Sequence, residues 1–264
     1  MTTVLSYDLL DRRALAALRF VDATGAPVVS PVAVAADGAK VVRTRSGLAA
    51  VLHVAGLEAH ESAFEAPPGA PAVGSVTVQL DVRPASGELT ARRFALKLPR
   101  NPDPTAADSL FQPVEVALLP TPSARVSGLV AALLATVRRA DDQRRVAGAL
   151  VRLRPDGGLP EARAITNMAG DALLIVAGAP LSTPGPGATT LPDVGAQLDA
   201  IVDPNLARFA SDSDVAASPA APWPGVLIDP DDIEARLAGS ATAASAVRIA
   251  CGQIRTASLV WTPS

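Results

Sequence analysis

Along most of this chain, apolar and polar residues alternate with a period of two. Val76, Val78, Leu80 and Val82 alternate with Thr77, Gln79, Asp81 and Arg83, as expected of a strand with one buried face. Residues 92–99 alternate again through Phe94, Leu96 and Leu98, and the turn residues 85–88 make the two runs a hairpin. Residues 18–34 read as strand, turn and strand, with Asp22, Thr24, Gly25 and Pro27 supplying the turn. Short strands are predicted at 41–45 and 48–57, separated by Ser46-Gly47. Together these form a first β-sandwich module over residues 1–100.

Residues 101–113 read as a linker, since the stretch from Pro99 to Pro113 holds four prolines and few apolar side chains. A second module is expected over 114–264. Its strands are placed at 114–120, 126–139, 146–155 and 172–178. Residues 126–139 also fit a helix, but their turn-rich flanks favour a strand. Asp156-Gly157-Gly158 is a hairpin-type turn. One short helix is predicted at 230–238, with Asp229 as N-cap, Pro230 at the first helical position and Asp231 and Asp232 at the positive end of the helix dipole. Residues 246–261 read as a closing hairpin around Gly252. The predicted fold is therefore all-β: two tandem antiparallel β-sandwich modules, an extended, loop-rich C-terminal segment and one short helix.

Composition narrows the class. Of 264 residues 49% are hydrophobic but only 3% aromatic, so the cores must be aliphatic. Gly and Pro together make 19 + 24 = 43 residues, which points to many turns. The net charge is −3 and no Lys/Arg run exceeds two residues, so no nucleic-acid partner is expected. Cys251 is the single cysteine, and no intrachain disulfide is possible. Residues 1–13 lack the basic start of a signal peptide. The most apolar stretch, 126–137, is shorter than the ~20 residues of a membrane-spanning helix. A cytoplasmic protein without a membrane span is expected.

An internal repeat is visible. Leu52-His53-Val54-Ala55-Gly56 matches Leu174-Ile175-Val176-Ala177-Gly178 at an offset of 174 − 52 = 122 residues. Upstream of each lies a glycine turn, Ser46-Gly47 and Ala169-Gly170. The repeat predicts two copies of one sandwich, with Val54 and Val176 at equivalent core positions.

The second copy resembles the carboxypeptidase-regulatory-like, transthyretin-type β-sandwich through Val146-Ala147-Gly148-Ala149-Leu150-Val151-Arg152-Leu153 and Thr166-Asn167-Met168-Ala169-Gly170. That resemblance implies a non-catalytic module packed beside other domains. The first copy, through residues 18–28, 45–47 and 93–100, is similar to a β-sandwich protein encoded with contractile phage-tail-like particles, the extracellular contractile injection systems. This implies assembly in the cytoplasm and release by lysis. The partners implied are other particle subunits or a further copy of the chain.

Candidate chemistry is sparse. His60-Glu61 begins like a zincin motif, but Phe64 stands where the second His belongs. Neither His53 nor His60 begins the His-x-x-Glu pair of a carboxypeptidase zinc site. Cys251 reads as a buried apolar residue. Asp212 and Asp214, and Asp229, Asp231 and Asp232, read as loop and helix-cap residues rather than calcium ligands. No catalytic, metal or cofactor residue is predicted, and the function expected is a non-enzymatic structural or assembly subunit. The alternative is a carbohydrate- or small-ligand-binding accessory sandwich, which would need an aromatic platform. The residues expected to bind a partner are Phe209 and Trp223, in a stretch (181–225) too apolar for a plain linker. The competing expectation is that this stretch wraps its own module.

Overall fold

The computed structural model describes residues 13–62, 68–126, 128–180, 193–217, 227–242 and 244–263. The described residues are mostly strand, in several sheets with only short helices, so the protein is all-β with a sandwich-type fold. It forms two compact units, one from Met1–Arg19, Val34–Leu80 and Ala95–Val116, the other from Phe20–Ala33, Asp81–Phe94 and Ala117–Ser264.

The first strands in chain order are β1 (Ala16–Val21), β2 (Val32–Ala35), β3 (Ala39–Arg43), β4 (Ala49–Val54), β5 (Val76–Pro84), β6 (Arg92–Leu98) and β7 (Val114–Ala117). A single-turn helix, α1 (Glu58–Ser62), follows β4. One sheet has the order β3-β4-β1-β7 and the other β2-β5-β6. The expected boundary at 113/114 therefore falls one strand early, because β7 belongs to the sheet of β1. The preceding stretch differs from the expected linker. The Asn101 amide donates to the Asp108 carbonyl (3.2 Å) and the Leu110 amide to the Asn101 carbonyl (2.8 Å), while Ser109 is fully buried. The segment is a loop closed by its own backbone bonds.

The remaining strands are β8 (Ala131–Arg139), β9 (Arg145–Ala147), β10 (Leu150–Pro155), β11 (Ala162–Ile165), β12 (Asp171–Val176), β13 (Asp193–Ile201), β14 (Arg208–Ala210), β15 (Ser245–Ala250) and β16 (Ile254–Trp261). A short helix α2 (Asp212–Ala217) follows β14, and α3 (Pro230–Leu237) precedes β15. One sheet runs β11-β10-β13-β15; in the other β8 is flanked by β12 and by β16, with β9 and β14 extending it. The two sheets enclose an aliphatic core that includes Leu133, Val151, Leu153, Leu174, Val176 and Leu198.

Two expectations are corrected here. Part of the C-terminal third is integral to the sandwich: β13 is an inner strand, paired with β10 on one side and β15 on the other. Residues 246–261 are not a hairpin. β15 joins β13, whereas β16 runs parallel to β8 in the facing sheet. Gly252 makes the crossing with φ 72°, its amide held by the Val130 carbonyl at 2.8 Å.

The duplication appears in strand order. If β8, β10, β11, β12, β13, β15 and β16 stand for β1 to β7, both copies contain 4-1-7 in one sheet and 2-5-6 in the other. Val54 and Val176 each end the fourth strand, are buried, and stand two residues before a glycine of positive φ, Gly56 and Gly178. The turns entering these strands have the same bonds. Thr44 donates its amide to the Leu48 carbonyl (2.8 Å) as Asn167 does to Asp171 (2.9 Å). The Leu48 amide donates to Thr44 Oγ1 (3.1 Å) as the Asp171 amide does to Asn167 Oδ1 (3.0 Å). These turns are offset by 167 − 44 = 123 residues, one more than the strand ends. A β-bulge explains the extra residue: β3 pairs Lys40 with His53 but Val41 with Val51, leaving Leu52 over. The residue equivalent to the fully buried Leu174 is thus Val51, also fully buried, and not Leu52.

Gly47 and Gly170 occupy the same turn position at φ 84° and 71°, which disfavours any side chain. A Cβ on Gly47 would meet nothing within 4 Å, but on Gly170 it would lie 2.8 Å from the Val137 carbonyl oxygen. Gly47→Ala is expected to cost about 1–2 kcal/mol, and Gly170→Ala clearly more, about 3 kcal/mol or above. Urea denaturation of both variants checks this, and equal losses would contradict the close approach of the Val137 carbonyl at Gly170.

Candidate functional site

Strand β10 shows how the polar residues of the second sandwich are used. Leu150, Val151, Arg152 and Leu153 are all buried, so both faces of the strand are covered. Val151 and Leu153 face the sandwich core. Leu150, with Ile165 of β11 and Ile201 of β13, packs under Ile228 and Ile233 on the outer face, where α3 lies. One step further along that face, the register sets Arg152 between Arg163 and Asp199. Charges covered in this way must be paired.

They are. Arg152 makes a bidentate pair with Asp199 (2.9 and 3.1 Å) and a third bond to Glu234 of α3 (3.0 Å). Arg154 adds a bond to Asp199. Arg163 bridges Asp231 and Glu234, both at 2.9 Å. The fully buried Arg92, at the start of β6, donates to the Ala117 carbonyl (2.9 Å), Asp229 (3.2 Å) and Asp231 (2.5 Å). Arg92, Arg152, Arg154 and Arg163 thus meet Asp199, Asp229, Asp231 and Glu234, four cations against four carboxylates. Asp229 also caps α3, accepting from the amides of Asp231 and Asp232, as the sequence predicts. The network went unread in the sequence because its members are up to 139 residues apart. The available signal was parity: Arg152 shares a face with Leu150, and Asp199 with Ile201.

Burial alone would raise the carboxyls of Asp231, Glu234 and Asp203. The opposing pull of Arg92 and Arg163 on Asp231, of Arg152 and Arg163 on Glu234, and of Arg236 on Asp203 holds all three below the ordinary carboxylate range. The Arg152 guanidinium is shifted upward by its bonds to Asp199.

Of the two expected partner-binding residues, Trp223 lies outside the described residues. Phe209 is on β14, opposite Val146 of β9. Its half-buried ring stacks on Trp261 with centroids 5.8 Å apart and planes 7° from parallel, and the Arg139 guanidinium stands 5.0 Å from its centre. Ile201 and Val202 are buried, and Leu206 packs against the cluster beneath α3. These anchors face the chain's own second sandwich.

The other candidates are separate. His53 Nδ1 lies 2.7 Å from Glu61 and His60 Nε2 lies 3.3 Å from the Ala70 carbonyl. Cys251 is buried in the core. Asp214 accepts from Ser211 at the start of α2. Among the described residues, no three His, Cys, Asp or Glu side chains gather as a metal site, and no helix is long and apolar enough to cross a membrane. A cleft of about 470 Å³ opens in the larger unit between Asp22, Val28, Glu88, Pro120, Arg125 and Val130, with no aromatic side chain in its wall. No family model matches the chain, nor does any curated protein or solved structure.

Two predictions follow from this geometry. Phe209→Ala is expected to lower stability by about 2 kcal/mol, less than the roughly 3–5 kcal/mol of a fully buried ring; calorimetry of the purified chain measures it. The acid response has a definite sign. Carboxyls held below their unfolded pKa contribute stability above that value and lose it as pH falls through the folded one. The melting temperature should therefore drop as pH falls below about 4. Arg163→Gln, which removes a cation that holds Asp231 and Glu234 down, should make that drop shallower, because it raises their folded values toward the unfolded ones at which the drop begins. A melting curve flat from neutrality to strong acid would contradict it.

Proposed function

We propose that the chain is a non-enzymatic structural or assembly subunit of a contractile phage-tail-like injection particle. The observation that carries this reading is the duplicated strand order, two copies of one sandwich in a single chain. Rigid repeated modules with aliphatic cores suit a part that holds neighbours in place. The charged cluster under α3 fits the same role, since its arginines and carboxylates are engaged with one another. The choice of assembly rests on the resemblance read in residues 18–28, 45–47 and 93–100. On this reading the partners are other particle subunits or a second copy, and the site of assembly is the cytoplasm.

The cleft of about 470 Å³ favours a second reading, a sandwich that binds a small ligand, because its volume is in the usual range for such sites. Its wall offers no ring for a sugar to stack on, so a carbohydrate is the weaker occupant.

The test is made on particles from cells that make the protein. The chain should sediment with sheath-bearing particles, and deleting its gene should leave them incomplete or unable to contract. Complete, contracting particles from the deletion strain would overturn the proposal. Saturable binding of a glycan or metabolite, lost on Arg125→Ala, would favour the second reading.

A further inference from the structure

We infer that the open edge of β16 is a self-association surface, at which a second copy of this chain adds its own β16 antiparallel across a two-fold axis. β16 pairs with β8 along its whole length, Ile254 with Ala132 through Trp261 with Arg139. Among the described residues its other edge pairs with no strand. The backbone direction is known at both ends, because the carbonyls of Gln253 and Trp261 accept from the Ala132 and Ala140 amides of the β8 segment. Alternation along a strand then turns the backbone groups of residues 254, 256, 258 and 260 to the open edge. Those four also carry the exposed side chains, Ile254 at 59% and Val260 at 53%, with Thr256 and Ser258 between them.

Edge strands are ordinarily protected by shortness, proline, lysine or a bulge. β7, the corresponding strand of the first copy, has four residues and lies between Pro113 and Pro120. β16 has eight, in the sequence IRTASLVW, without proline, glycine or lysine.

The occupant is a second copy because the edge is complementary to itself. Around Ala257 the pattern reads nearly the same in both directions: Ile254 and Val260 outermost, then Thr256 and Ser258. A two-fold through Ala257 sets Ile254 against Val260 and Thr256 against Ser258 of the other copy. These β-branched, aliphatic and hydroxyl pairs are favourable across antiparallel strands. The register also satisfies the backbone. All four positions present their N–H and C=O to the edge, so each facing pair exchanges both its bonds, and Ala257 meets its own copy at a non-hydrogen-bonded position. A one-residue slip would set outward backbone groups against inward ones. The inference is independent of the particle reading, since such a pairing stands or falls whatever the chain assembles into.

The experiment is sedimentation velocity with light scattering on the purified full-length chain, alongside Ser258→Pro and Thr256→Lys. The unaltered chain should show the mass of two copies. Ser258→Pro removes an edge-facing N–H and no bond to β8, as proline is tolerated on open edges. It should give the mass of one copy that is still folded by circular dichroism, its melting temperature lower only by what the lost association contributed. Thr256→Lys, which brings two cations near the two-fold, should do the same and decides the matter if the proline variant fails to fold. Ala257→Pro, whose N–H faces β8, should instead lower the melting temperature. A single-copy mass for the unaltered chain, or a two-copy mass that survives in folded Ser258→Pro or Thr256→Lys, would overturn the inference.

Discussion

The double-sided burial of β10 is the constraint around which the second sandwich is arranged. A strand covered on one face can leave arginines to water. Arg152 cannot, because α3 covers its face while Val151 and Leu153 fill the core beneath. Removing a guanidinium from water is costly unless its donors are met. Asp199 meets it from the next strand and Glu234 from the helix above. The helix in turn requires its N-cap, Asp229, which Arg92 also grips. One covered arginine thus sets the residues required on β13, on α3 and at the start of β6.

The sequence made some of this legible and hid the rest for physical reasons. Strand alternation, glycine turns and the helix cap depend on neighbours a few residues apart, so Val76–Pro84, Gly170 and Asp229 could be read directly. Pairing depends on residues far apart. β13 looked like part of a loop because the Pro/Gly/Ser/Thr stretch before it dominates that region. Gly252 signals a turn equally well when the chain reverses beside itself or crosses to the facing sheet. Trp261 and Phe209 meet across 261 − 209 = 52 residues, and the sequence alone left open whether Phe209 faced inward or toward a partner.

The repeat was detected through its least polar residues, yet its firmest support comes from backbone bonds. The turns at Thr44 and Asn167 preserve one hydrogen-bond pattern while changing every side chain except glycine. A hydroxyl does in one what an amide carbonyl does in the other. The geometry is shared where the residues differ, and the bulge at Leu52 shows how one extra residue is absorbed without reversing the inward direction of Val51 and Val54.

The third strand is the exception to the shared strand order. β3 pairs with β4, whereas β11 pairs with β10. The sheet ends that differ are therefore β3 and β2 in the first copy and β12 and β11 in the second, while β7 and β6 correspond to β16 and β15. Two copies with one strand order throughout would present matching free edges, each able to capture the other. Moving a single strand from one sheet to the other makes the two sets dissimilar, so the halves of the chain are no longer interchangeable as templates for one another.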